Sequence, residues 1–584
     1  MTVTTREDPG ALELLNRLRL LYLQARDERR NYRDQWIRSY RLVNNKLGVP
    51  QPNSWQPAPR LSKVYPALSA LIAWMTDNHI LIDCTPVADP DSNFYKFYST
   101  IATHLGNTID SIWQTLGYRR EIKLALWDAT MSGTGILKAV WDNGLSGGQG
   151  DAMIKRVDYF SFFPDPAGTC IADCNYFVEA RKMSPDEIER RWPDGIAAVM
   201  ASSGSESVDE RPNFTDSGSP QSVKTNPGAL PGGNGRYGGL ANPPEAPLEE
   251  DIEVFEFWLR ENSSYLTDDD PKMAERRVED RWRVIVVARN VILMDEYAED
   301  LWSYASHPYE DFRFDDIGEF WGISLVDHLS QPQIYINRLL TALQNNAELT
   351  GNPVFIEPTN SGIARTTITN RPGARLTVNG TAANAGMKPD WLRPPDMSQN
   401  TLNLVNLWAA AIEDITGMSA VAKGSTPPQQ RAAQGTMNTI QDAAFVRIRA
   451  AQANLEDTLE RCARKIADLI IDNYTEPRFI SIVGEGGDKT ALALRARHFL
   501  VPSSKGATPL QYTLQIQAGS SFPTSRSARI AEADKLYGMQ AIDDQALLQA
   551  HQWPNIEAVI QRKIQKAAAS YPAPNQRQAG RNKQ

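Results

Sequence analysis

The chain has 584 residues, 41% of them hydrophobic and 22% charged, with a net charge of -9 and four cysteines. That length exceeds a single hydrophobic core and leaves room for about three or four domains, and no run approaches the roughly 20 apolar residues of a bilayer span, which speaks against a membrane protein. So few cysteines make no disulfide framework, and the acidic balance argues against a protein that clings to nucleic acid through a broadly basic surface.

The opening residues, MTVTTREDPGALELL, show no basic region followed by an apolar core and a small-residue cleavage site, so synthesis and function are expected to begin in a cytoplasm. From about 11 to 47 the apolar positions Leu15, Leu18, Tyr22, Trp36, Tyr40, Val43 and Leu47 recur at helical spacing. The other side carries Arg26, Asp27, Arg29, Arg30, Arg33 and Asp34, expected to be a solvated face with internal ion pairs. Residues from about 61 to 145 read as mostly helical, ending in WDATMSGTGILKAVWD, where a helix stops at Gly133 and a strand runs from Ile136 to Trp141. The Gly-Thr-Gly has the order helix then strand, the reverse of a phosphate-binding loop. A strand at about Tyr176 to Arg181 and a short helix from Pro185 to Arg191 follow, as in a mixed α+β domain.

Residues from about 201 to 249 are rich in Gly, Pro and Ser and cannot bury enough apolar surface to order themselves, so a mobile insertion is expected. Beyond it, DIEVFEFWLR and DRWRVIVVARNVILMD alternate apolar and polar residues like paired strands that close the same sheet domain. A helix then carries Ile323, Leu329, Ile336, Leu339, Leu343 and Ala347, with an amide-rich opposite side and Pro332 expected to bend or restart it. A Thr/Gly/Pro-rich strand-and-turn module spans about 354 to 395, and a helix from Asp396 to Thr416 has Leu402, Leu404, Leu407, Ala411 and Ile415 along one face. The nearly uncharged stretch GMSAVAKGSTPPQQRAAQG separates it from a helix of about 40 residues, Gly435 to Thr475, striped by Ile440, Ile448, Leu455, Leu459, Cys462, Ile466 and Leu469. Strands return in RFISIVG and LQYTLQIQAGSS, and helices at Ser525 to Tyr537, Asp543 to Ala550 and Asn555 to Ala569 precede a polar tail.

Local chemistry is sparse. The six histidines show no metal-ligand spacing, Cys170 and Cys174 have no second Cys or His pair beside them, and GxSxG, HExxH and GK[ST] are all missing. No metal or cofactor is expected. Carboxylates assembled only by folding remain possible, which keeps a nucleic-acid-processing enzyme as the alternative from another class.

The order of parts, with SGTGILKAVWD, EFWGISLVDHLSQPQIYINRLLTALQNN, ITGMSAVAKGS followed by AAQGTMNTIQDAA, and IQAGSSFPTSRSARIAEADKL, resembles a tailed-bacteriophage portal protein over nearly the whole chain. The resemblance implies an α+β, helix-rich subunit with wing, stem, clip and C-terminal crown helices. Its divisions are a wing over 1-321, a first stem helix over 322-353, a clip over 354-395 and a second stem helix over 396-416. A tunnel loop over 417-434, a tunnel helix over 435-475, a return to the wing over 476-523 and crown helices with a tail over 524-584 complete it. It further implies a dodecameric ring at one capsid vertex, in the virion and in the host cytoplasm during assembly. Double-stranded DNA would pass through without sequence readout, and terminase, capsid, scaffold and head-completion or tail adaptor proteins would be partners. Another head-tail connector is the structural alternative.

In that reading the loop touches DNA weakly and replaceably. Gly424 and Gly435 permit movement, Pro427 and Pro428 limit collapse, Ser425, Thr426, Gln429 and Gln430 offer exchangeable hydrogen bonds, and Lys423 and Arg431 touch phosphates in passing. The alternative is an ordinary exposed connection whose length is tolerated.

Overall fold

The computed structural model describes residues 9–46, 59–76, 82–87, 95–202, 251–261, 281–351, 354–356, 390–392, 399–417, 446–474, 478–483, 489–494, 500–503, 506–509, 511–516 and 526–544, with a few positions from there to 563. The insertion from 203 to 249, nearly all of the 354–395 module and the 418–445 segment lie outside the described residues. The chain folds as two units, one of Met1–Thr76 with Leu116–Asp472 and a second of Asp77–Thr115 with Asn473–Gln584.

The first unit is built on a five-stranded antiparallel sheet, in which Phe162–Pro164, Tyr176–Met183, Ile252–Glu261, Arg281–Ala288 and Val291–Tyr297 follow one another in space as in sequence. The two-residue side-chain period decides which face each residue takes. Tyr176, Val178, Ala180, Phe255, Phe257, Ile285 and Val287 form one apolar face, packed with Leu18, Tyr22 and Ala25 of the Pro9–Val43 helix. Phe177, Met183, Val254, Trp258, Trp282, Val284 and Val286 form the other, continuous with a core around Trp36. That tryptophan meets Tyr159, Phe160 and Trp321 edge to face, with ring centroids 4.7 to 5.6 Å apart.

The expected strands and the Pro185–Arg191 helix form, and the side chain of Ser184 caps that helix by accepting from the Glu187 amide at 3.3 Å. The charged face of the N-terminal helix needs a correction. Arg29 is buried at 1% exposure, donates to the Phe160 carbonyl and lies 3.9 Å from the Phe163 ring centroid, because it occupies the same helical stripe as Leu18, Tyr22, Ala25 and Trp36.

The Gly-Thr-Gly segment is a packing device. Gly133 ends the Tyr118–Ser132 helix at φ +91°, and a Cβ there would lie 2.0 Å from the Gly322 carbonyl oxygen; one on Gly135 would lie 2.4 Å from that of Ala125. The strand that follows, Thr134–Asp142, is the centre of a three-stranded sheet between Asp151–Val157 and Tyr309–Arg313.

Leu325–Gly351 is one helix that runs through Pro332 without restarting. Its amide side is used inward: Gln333 accepts from the Lys63 amide at 2.9 Å and donates to the Leu61 carbonyl, and Asn337 accepts from the Leu61 amide at 3.2 Å. Ile323, expected in the apolar stripe, is exposed. Gln399–Thr416 packs beside this helix, with Trp408 stacked on Tyr335 at 5.2 Å. Its buried positions are Ile412 and Thr416; of the expected stripe, Ile415 packs against the core, whereas Leu402, Leu404 and Leu407 are exposed and do not face the core of this chain. The short strands Val354–Ile356 and Asp390–Leu392 pair antiparallel and close the base of the intervening module.

Within the second unit, Ile82–Pro86 pairs antiparallel with Tyr512–Ile516, a strand that the helical reading of 61–145 missed. The Tyr95–Thr115 helix packs on Ile82–Pro86 and buries Ile101, Leu105, Ile109, Ile112 and Trp113. The hairpins Arg478–Val483 with Lys489–Leu494 and Leu500–Ser503 with Gly506–Pro509, and the Arg526–Gly538 helix, complete what is described.

Candidate functional site

Folding does bring carboxylates together, at the seam of the two larger sheets. Glu179 and Glu256 stand directly opposite each other on adjacent strands of the five-stranded sheet, a placement that repulsion disfavours. Lys138 and Tyr309 form the corresponding cross-strand pair of the three-stranded sheet. The Lys138 ammonium donates to Glu179 at 2.9 Å, to both oxygens of Glu256 at 2.7 and 2.8 Å and to the Tyr309 hydroxyl at 2.7 Å. Arg181 bridges the same carboxylates at 2.7 and 3.2 Å, and the Trp258 indole donates to Glu256 at 2.9 Å. Burial pushes the Glu256 carboxyl upward, but the charges of Lys138 and Arg181 and the bonds from Lys138 and Trp258 outweigh it and hold the group at about 2. Glu256 is therefore ionised inside the protein, and the two cations that engage it and Glu179 tie the two sheets together. Among the described residues no group of His, Cys, Asp and Glu is placed to hold a metal ion.

A second constellation joins the Val446–Asn473 helix to the edge strand Tyr309–Arg313. The stripe Ile448, Leu455, Leu459, Cys462, Ile466 and Leu469 is buried as its spacing predicts. An adjoining face presents Asn454, Thr458, Arg461 and Lys465, spaced four, three and four residues apart and thus stacked along one side of the helix. These donors take the carbonyls of alternate strand residues: Asn454 bonds Arg313 at 3.2 Å, Thr458 bonds Asp311 at 2.9 Å and Lys465 bonds Tyr309 at 2.8 Å. Arg461 and Lys465 also hold Glu310, each at 2.7 Å. Polar side chains of a helix thus occupy the place of a fourth strand and cover a sheet edge. A cleft of about 480 Å³ opens along this contact, lined by residues that include His307, Asp316, Asn454, Asp457 and Arg461.

The loop residues named from sequence, Lys423, Gly424, Ser425, Thr426, Gln429, Gln430 and Arg431, lie outside the described residues. Its roots are described. Gly417 ends the preceding helix at φ +68°, and a Cβ on it would lie 3.5 Å from the Ile448 side chain, at the start of the helix that follows. The intervening chain therefore leaves and returns at neighbouring points.

Residues 55–584 match the family described as phage P22-like portal protein. The chain belongs to that portal family. No curated protein matches. Membership fits a mixed helix-and-sheet chain of this composition. Portal proteins of this family are structural components of a phage head-tail connector that serve DNA packaging, and no described helix is long and apolar enough to cross a membrane. For the portal chain, sequence reasoning missed the edge-covering donors Asn454, Thr458, Arg461 and Lys465. Their own 4-3-4 spacing was the available signal, beside the more conspicuous apolar stripe.

Proposed function

We propose that this portal subunit joins others in a dodecameric ring at one capsid vertex and that the segment from Gly417 to Gly435 lines the channel through which double-stranded DNA passes. The observation that carries this reading to particular residues is the meeting of Gly417 with Ile448, which makes the segment between them an excursion from two adjacent roots. An excursion with few charges suits a surface that must touch DNA without holding it. The helices Leu325–Gly351 and Gln399–Thr416 serve as the stem, the module they enclose serves as the clip facing terminase and adaptor, and Val446–Asn473 belongs to the tunnel helix. The exposed Leu402, Leu404 and Leu407 supply apolar surface for a neighbouring subunit, as ring closure needs. ATP hydrolysis belongs to the terminase motor.

Changing Ser425, Gln429 and Gln430 together to Arg tests the channel placement. Rings should still assemble, and DNA packaging should stall at low salt and recover as salt rises. Normal packaging by that variant at low salt would show that the segment lies away from the DNA.

A further inference from the structure

Much of the first unit's positive charge is neutralised internally: Arg156, Arg181, Arg283, Arg313 and Lys465 all face carboxylates. A different pattern occupies the surface made by the residues leading into the Val64–Thr76 helix and by the start of the Tyr118–Ser132 helix. Described residues 59–76 contain no Asp or Glu, and residues 117–127 contain Glu121 alone. Arg60, Lys63, Arg119 and Lys123 are exposed, and none of them forms an ion pair with a described residue. Glu121 is turned toward the sheet, where it accepts from the Arg156 amide at 3.0 Å, and its other contact is Arg120 at 3.2 Å. Arg120, Lys123 and Trp127 fall on one helix face at spacings of three and four. The two segments are fastened together there, since the half-exposed Tyr65 ring lies on Trp127 with centroids 5.6 Å apart and planes 14° from parallel.

We infer that Arg60, Lys63, Arg119 and Lys123, carried on the two segments that the Tyr65–Trp127 stack fastens together, form a contact surface for the phosphate backbone of double-stranded DNA, separate from the 417–435 loop. The inference rests on the portal reading for the presence of DNA and on charge for the contact itself. On a chain of net charge -9, two adjoining segments with four exposed cations and a single acidic residue make a local positive field, which an anionic partner complements. The cations are long, flexible and hold no fork fixed by a second carboxylate, which fits a repeating phosphate backbone and not a single defined anion. The planar aromatic pair gives the patch an apolar floor against which sugar edges rest.

The test uses the purified full-length chain, a fluorescent 30-base-pair duplex of mixed sequence, and a series of potassium chloride concentrations, with assembly state followed by mass photometry in the same samples. The variant is Lys63→Gln with Arg119→Gln and Lys123→Gln. Loss of three phosphate contacts should reduce the steepness of log affinity against log salt by about 2 to 3 and lower affinity at 50 mM salt at least tenfold, with assembly unchanged. The charge-keeping variant Lys63→Arg with Arg119→Lys and Lys123→Arg should bind as the parent does, which separates lost charge from lost folding. An unchanged salt slope in the Gln variant overturns the inference. So does a loss of assembly with DNA binding per subunit intact, which would assign the patch to acidic groups of a second copy. A parent chain that binds DNA with the expected slope yet never forms rings would refute the ring and leave the patch standing.

Discussion

Lys138 shows how one side chain decides whether a cluster stabilises or disrupts. It stands between two glutamates that the sheet register forces face to face, and its ammonium, with the Arg181 guanidinium, supplies the opposite charge that this placement requires. Lys138→Met should leave a buried carboxylate pair with one cation and cost about 3–5 kcal/mol, whereas Tyr309→Phe should cost about 1–2 kcal/mol; urea unfolding followed by tryptophan fluorescence measures both. The pH dependence has a definite sign. Because Glu256 is held at about 2 in the folded chain against an ordinary 4.5, its contribution is complete above that ordinary value and is lost as pH falls toward 2. Lys138→Met should therefore shrink the difference in stability between pH 5 and pH 3. Arg29 teaches the converse lesson about sequence. A charged residue between charged neighbours reads as solvent-facing, and only the seven-residue return from Tyr22 through Arg29 to Trp36 would have placed it in the apolar stripe.

At the level of elements, the Val446–Asn473 helix has two jobs on two faces. Its apolar stripe was plain in the sequence, since apolar residues that recur near every 3.6 positions over such a length line up on one side of a helix and on no side of a strand. Its polar face was not, because a helix that covers a strand edge must match donors to acceptors on a partner more than a hundred residues away. The same limit explains Ile82–Pro86, whose pairing strand lies at Tyr512–Ile516, and Leu402 to Leu407, whose spacing signals an apolar face without saying which molecule covers it. Strands such as Ile252–Glu261 were legible because their side-chain pattern repeats every two residues within one segment, with no distant partner needed to read it. The edge-covering role makes a measurable claim. Asn454→Leu with Thr458→Val keeps the helix and removes two of its donors, so amide exchange across residues 309–313 should accelerate at least tenfold while exchange in Ile252–Glu261 stays as it was. Equal acceleration in both strands would mean that the ladder contributes only to global stability.

For the whole molecule, the family assignment and the folded parts converge on a conduit. The structure adds a sheet unit stapled by buried charge, a helix held to a sheet edge by side-chain donors, and a meeting of Gly417 with Ile448 at the two roots of the intervening segment. The order of parts along the chain was enough to make the portal resemblance readable. The loop residues were picked out by composition and position between helices, and both their facing the channel and their contact with DNA rest on the proposal above. Everything in that proposal requires subunits to close around a hole. Electron microscopy of the purified full-length protein tests this most directly: the account predicts rotationally symmetric rings of twelve subunits with a central channel wide enough for duplex DNA, and a population made up of compact monomers, at concentrations where portal rings assemble, would contradict it.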